Sequence, residues 1–90
     1  KVKKYILQFT PGSQEDFLKL PKNIQWRVKR KMDFFIQTEN PLHFSKKMQN
    51  HDRWYRFRIG DYRIIVTPKD TKTLIILVII KIGHRRDIYE

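Results

Sequence analysis

The sequence predicts a small α+β domain built on a mainly antiparallel sheet. Three observations lead there. Apolar residues alternate in strand fashion near both ends of the chain and recur at helical spacing between them. Ninety residues suffice for one modest core and not for two, so residues 1–90 form a single domain. A hydrophobic content of 40%, with 13% aromatic, belongs to a folded globule rather than a disordered basic tail.

Residues 2–9 carry Val2, Tyr5, Ile6, Leu7 and Phe9 and read as a first strand. Pro11-Gly12-Ser13 ends it. Ser13, with Asp16 three positions on, signals a helix start with Ser13 as N-cap. Phe17, Leu18 and Leu20 supply a short apolar face, and Pro21 breaks the pattern. A second helix follows from Pro21 and ends near Asn40-Pro41. Ile24, Val28 and Phe35 mark its inner face, with Trp26, Met32 and Phe34 as further candidates. Residues 42–52 read as a polar connection containing Lys46 and Lys47. Residues 53–66 form a β-hairpin around Gly60-Asp61, where a turn needs a residue free to take positive φ. Residues 67–72 are a second turn region. Residues 73–82 are a run of branched apolar side chains, expected to be an interior strand buried on both faces. Gly83 ends it, and a basic tail follows. The resulting order is N-terminal strand, helical hairpin, then a three-stranded antiparallel unit. The helices cover one face of the sheet and leave the other open.

Charge narrows the function. Twenty Lys and Arg against nine Asp and Glu give a formal charge of +11. Such a molecule attracts polyanions: nucleic acid first, an acidic protein second, an anionic membrane surface third. The absence of cysteine excludes disulfides, thiolate metal sites and a cysteine nucleophile, and is compatible with the cytoplasm. The apolar run from Leu74 to Ile80 is far below the roughly 20 residues of a membrane span. Residues 1–10 have no long apolar stretch, so no signal peptide is expected.

The hairpin holds the most informative pattern. Trp54, Arg56 and Arg58 share one face by the period of two; Tyr55, Phe57 and Ile59 share the other. Arg63 and Ile65 then oppose Tyr62, Ile64 and Val66. Asp61 is the sole acid between Arg53 and Val66. Solvated strand faces mix charges and hydroxyls, whereas this one offers cationic forks suited to a polyphosphate such as RNA. Lys81 and Arg85 extend the same surface. Trp54 and Tyr89 are equally compatible with base stacking and with packing. His84 beside Arg85 and Arg86 has its neutral form favoured, which suits a general base; the alternative is a hydrogen-bonding strand terminator. His43, His51 and His84 match no ligand spacing, so neither metal nor other cofactor is expected. Glu15, Asp16, Asp33 and Glu39 fall on the helices, so no histidine–glutamate ribonuclease pair is readable.

Two motifs extend the reading. The run from Tyr55 to Ile65, "YRFRIGDYRII", and the segment from Val78 to Tyr89, "VIIKIGHRRDIY", together resemble the RelE toxins of the RelE/ParE superfamily. The likeness covers nearly the whole chain. It implies a RelE-like domain similar to microbial ribonucleases, and a toxin that cleaves messenger RNA in the ribosomal A site without a metal. The family's catalytic positions fall on Arg63, Arg85 and Tyr89, with His84 a further catalytic candidate. Phosphate contacts fall on Arg56 and Arg58, where the family often has lysines; the residue pattern itself adds Lys81, Arg86 and Trp54 as expected RNA contacts. The likeness further implies an acidic antitoxin that covers the basic site, with operator DNA bound only through that antitoxin. No membrane role and a cytoplasmic location are expected. The alternatives are a ParE-like inhibitor of DNA gyrase and an RNA- or ribosome-binding module without chemistry.

Overall fold

Alternating apolar residues on four strands and a stripe along one helix meet in a single core. The computed structural model of the protein describes residues 3–88. Its sheet contains β1 (Lys4–Phe9), β2 (Ser45–Lys47), β3 (Tyr55–Ile59), β4 (Tyr62–Asp70) and β5 (Leu74–His84), in the order β1-β5-β4-β3-β2. β1 runs parallel to β5, and every other pairing is antiparallel. Helices α1 (Pro11–Leu18) and α2 (Lys22–Ile36) form the helical hairpin. Val28, Met32 and Phe35 of α2 pack against Phe57, Ile59, Ile64, Val66, Ile79 and Ile82 of the sheet. Phe35 is stacked between Phe44 and Phe57, at centroid distances of 4.9 and 5.1 Å. The α+β architecture expected from the sequence is the one observed. No helix among the described residues is long and apolar enough to cross a membrane.

Several boundaries differ from the sequence reading. Thr10, not Ser13, is the N-cap of α1; Ser13 occupies the third helical position and completes a capping box. The hydroxyl of Ser13 is fully buried, accepts from the Thr10 N–H at 3.0 Å and donates to the Ile79 carbonyl at 2.6 Å. A threonine preceding a proline suits the extended N-cap, and the proline then fills the first helical position, where no N–H is needed. α2 stops at Ile36, well before Asn40. Trp26 and Phe34 are exposed, because 100° per residue carries Trp26 about 200° away from Val28. Leu18 is also exposed.

The expected polar connection contains a 3₁₀ turn (Pro41–Phe44) and β2, whose three residues are too few for a period to show. The expected turn at residues 67–72 is mostly strand, since β4 reaches Asp70. Pro68 is tolerated there because β3 ends its pairing at Val66 and leaves that side of β4 an edge. Gly83 does not end β5; the strand runs through it to His84.

The C-terminal half of β5 outruns β1, which pairs only as far as Ile79. The start of α1 covers this exposed edge. The Thr10 N–H reaches the Ile79 carbonyl at 3.1 Å, and Asp16 Oδ2 accepts from the Ile82 N–H at 3.2 Å. A strand edge that would otherwise be open is thereby satisfied. It is the edge just before His84 and Arg85.

Replacing Ser13 with alanine removes a buried hydroxyl that serves both the cap and this docking. Ser13→Ala is expected to lower stability by about 1–3 kcal/mol, read from urea denaturation. An unchanged midpoint would show that the cap does not anchor α1.

Candidate anion-binding face

Two transverse rows of side chains cross the sheet on the face away from α2. The register sets Lys46 against Arg56, Arg56 against Ile65, and Ile65 against Lys81. The neighbouring row sets Arg58 against Arg63 and Arg63 against Gly83. The intervening residues Phe57, Ile64 and Ile82 lie in the core, so alternation sends both cationic rows to the opposite face. Arg56, Arg58, Arg63 and Lys81 are thus brought together as the sequence pattern implies. Lys46 is an addition that became visible only once β2 aligned with β3.

The hairpin turn positions the second row. Gly60 has φ of +58°, and no other described residue has positive φ. Positive φ at the first of two loop residues alone is the pattern of a type II′ turn. The Arg63 guanidinium folds back onto this turn, donating to the Gly60 carbonyl at 3.0 Å and the Tyr62 carbonyl at 3.1 Å. Its protonation is held below the ordinary arginine value by partial desolvation first, then by Arg58, Arg56 and Arg85, with Asp61 opposing. Arginine remains charged at neutral pH under such pressure. Like charges set directly opposite on a sheet repel, and an anion bound here would relieve the repulsion between Arg58 and Arg63.

The C-terminal segment is tied to the same turn. The Arg85 N–H donates to the Asp61 carbonyl at 2.7 Å, and Arg85 Nε lies 3.8 Å from Asp61 Oδ1. Both side chains are mainly exposed, so the ion pair is loose and leaves the guanidinium accessible. A 3₁₀ turn (Arg85–Asp87) then bends the chain, and Arg86 is exposed. Ile88 returns over Gly83, where a Cβ would come within 3.2 Å of its side chain. Gly83 therefore gives the returning tail room beside Arg63.

His84 sits on the other parity. Its ring makes an edge contact with Tyr62 at 5.3 Å, and its Nδ1 accepts from the Arg86 N–H at a long 3.4 Å, capping the turn. Tyr89 lies outside the described residues. Trp54 is half-buried, its indole stacked on His51 at 3.7 Å and 13°. His51 was not singled out as an RNA contact by sequence, and a lone histidine in a polar loop carries no signal that would have done so. The face is not fully open: Ile65 and Met48, the first residue of the 48–54 loop, are almost wholly buried beside the groove that His51 and Trp54 line. Among the described residues no group of three or more His, Asp or Glu side chains could hold a metal ion.

These features define a class: a small α+β domain that presents an arginine-rich sheet face beside a pinned C-terminal tail. The profile of a family described as the ParE toxin of the type II toxin-antitoxin system parDE matches residues 7–89. The chain belongs to that family, within the RelE/ParE superfamily of toxins. It is similar to a chain of the RelBE2 toxin-antitoxin complex from Mycobacterium tuberculosis, at 27% identity and a TM-score of 0.74, over 94% of this chain and 95% of that one. The RelBE complex of E. coli gives 18% identity and 0.71, over 89% and 95%. The RelB-RelE complex of Methanococcus jannaschii gives 24% and 0.66, over 91% and 94%. At those last two identities the likeness shows the fold alone. No curated protein matches the sequence.

Neutralising one arginine of the crowded row separates its two effects. Arg58→Gln is expected to raise the thermal midpoint slightly at low salt while weakening binding to single-stranded RNA. The slope of log affinity against log salt should fall by about 0.7, the value for one phosphate contact on a single strand. An unaltered salt slope would place Arg58 outside the binding face.

Proposed function

We propose that this toxin is a metal-free, ribosome-dependent endoribonuclease that cleaves messenger RNA in the A site and so inhibits translation. The observation that carries this reading is the convergence of Arg63, Arg56, Arg58 and Arg85 around one glycine turn. In RNA the nucleophile is already present. The 2′-hydroxyl attacks the adjacent phosphorus, the bond to the 5′-oxygen breaks, and a 2′,3′-cyclic phosphate and a 5′-hydroxyl result. What a protein must add is alignment, neutralisation of the phosphate, and handling of two protons.

Arg63, held by its turn, binds the scissile phosphate. Arg85 stabilises the charge that develops on the phosphoryl oxygens. Arg56, Arg58 and Lys81 hold the flanking backbone, and Arg86 contributes long-range attraction. His84 acts through Arg85, by capping the turn that carries it. Tyr89 orients the nucleotide and assists proton transfer. The Asp61 carboxylate beside this constellation is engaged with Arg85. The sparsity of acid–base groups among the described residues of the site supports a contribution from the ribosome to the geometry of attack.

The partner in the cell is an acidic antitoxin, in keeping with the complexes in which the similar folds occur. A net charge of +11 favours an acidic partner, and the outer face of α2 offers an anchoring stripe. Trp26 and Phe34 are 61% and 54% exposed there, with the Arg30 guanidinium 4.8 Å from the Trp26 ring. Trp26→Asp together with Phe34→Asp is expected to abolish rescue by the antitoxin while growth arrest persists. Retained rescue would move the docking surface elsewhere.

Primer extension on a translated message, with and without ribosomes, tests the enzymatic reading. Cuts within ribosome-bound codons are expected, and Arg85→Ala and Arg63→Ala should each reduce them at least a hundredfold, the scale of one lost transition-state contact. Gyrase inhibition is the second reading, favoured by the ParE description of the matching family. An intact message alongside arrested DNA supercoiling would replace the first reading with the second.

A further inference from the structure

We propose that the groove between residues 48–54 and the β4–β5 pair is a nucleobase-binding subsite for single-stranded RNA, with the stacked His51–Trp54 pair as its platform. The groove has a volume of about 300 Å³. Met48, Ile65, Ile80 and Ile88 supply its apolar lining, the floor of the groove, and Trp54, His51 and Lys81 line the rest. A flat apolar slot with a π face and a cation at its edge matches a base with its phosphate. It matches an acidic side chain poorly, since carboxylates gain nothing from an apolar floor.

Three features built into the fold shape this slot. First, β5 carries a bulge: Ile65 pairs with Lys81 and Val66 with Ile79, which leaves Ile80 extra. The additional residue contributes to the floor while Lys81 keeps its place in the cationic row. Bulges gather next to functional sites because they re-aim side chains in this manner. Second, the loop is closed before any ligand arrives. The Met48 N–H donates to the Trp54 carbonyl at 2.9 Å, continuing the β2–β3 ladder past its end. A preformed platform binds with little ordering cost. Third, the floor is already satisfied without the aromatic pair being sealed in. Met48 and Ile65 are 4% and 2% exposed, whereas Trp54 is half-buried and His51 exposed.

The placement relative to the proposed reaction is defined by register. Ile65 lies two residues beyond Arg63 on the same strand and face, about 7 Å away. A phosphate on Arg63 would therefore leave an adjacent base within reach of the groove. The subsite rests on the ribonuclease reading for the identity of its ligand, and its test is independent of cleavage.

The chain has two tryptophans, so Trp26→Phe leaves Trp54 as the single indole reporter. That protein is titrated with a 2′-O-methylated RNA trinucleotide, which has no free nucleophile, and with the same oligonucleotide carrying abasic positions. Saturable quenching by the first and at least fivefold weaker binding of the second are expected. In competition with a labelled trinucleotide, Trp54→Ala should weaken binding about five- to a hundredfold with the salt slope unchanged. Trp54→Phe, which keeps a ring, should retain most of the affinity and guards against loss of folding. Equal affinity for the abasic oligonucleotide, or no quenching, overturns the subsite. Message cleavage without quenching leaves the enzyme and removes the subsite; quenching without cleavage does the reverse.

Discussion

The pairing of β4 with β5 is the constraint on which the rest depends. It sets Ile64 against Ile82 on the helix side and Arg63 against Gly83 on the other. Side chains alternate with a period of two, so a slip of one residue would drive arginine into the core and isoleucine into the basic face. Burial of Ile64, Val66, Ile79 and Ile82 against α2 therefore decides which way the cations point. The irregularity of this pair, at Ile65/Val66, is absorbed by the extra Ile80 while Ile64, Val66, Ile79 and Ile82 stay in the core.

Cations held this close resist assembly, and the fold supplies the counterweight elsewhere. Arg63 is disfavoured as a cation by burial first and then by Arg58, Arg56 and Arg85, while Asp61 opposes them. A loop could not hold these groups against that force. A five-stranded sheet can, because its opposite face is pinned by an aromatic stack through Phe44, Phe35 and Phe57. The edge of β5 is held in turn by Thr10, Ser13 and Asp16. Residues far from the cationic face thus stabilise an arrangement that is locally unfavourable. Where a structure retains such a conflict, function is the usual reason.

The shared fold narrows the chemistry without deciding it. Chains as different as 18% and 27% identical keep the same architecture. A fold of this kind can carry unrelated activities, so only the site can favour RNA cleavage. Its content is the cationic rows, the turn that holds Arg63, and the tail tied to Asp61. The apolar groove beside them adds a surface that no purely electrostatic binder needs.

The chain alone makes legible the fold class, the parity of the hairpin and most of the cationic face. Those properties are local: alternation, a glycine turn and a helical stripe are each readable within a dozen residues. It did not reveal β2, the N-cap at Thr10, the passage of β5 through Gly83, or the exposure of Trp26 and Phe34. Each of these depends on what lies opposite. Ser45–Lys47 becomes a strand because β3 offers an edge, and Gly83 stays in the ladder because Arg63 pairs with it. The tertiary structure alone decided that Lys46 joins the cationic row. It also brought His51, Trp54, Ile65 and Ile80 to one groove. Side chains distant in sequence meet only when strand register is set, and register is a property of the whole sheet rather than of any one segment.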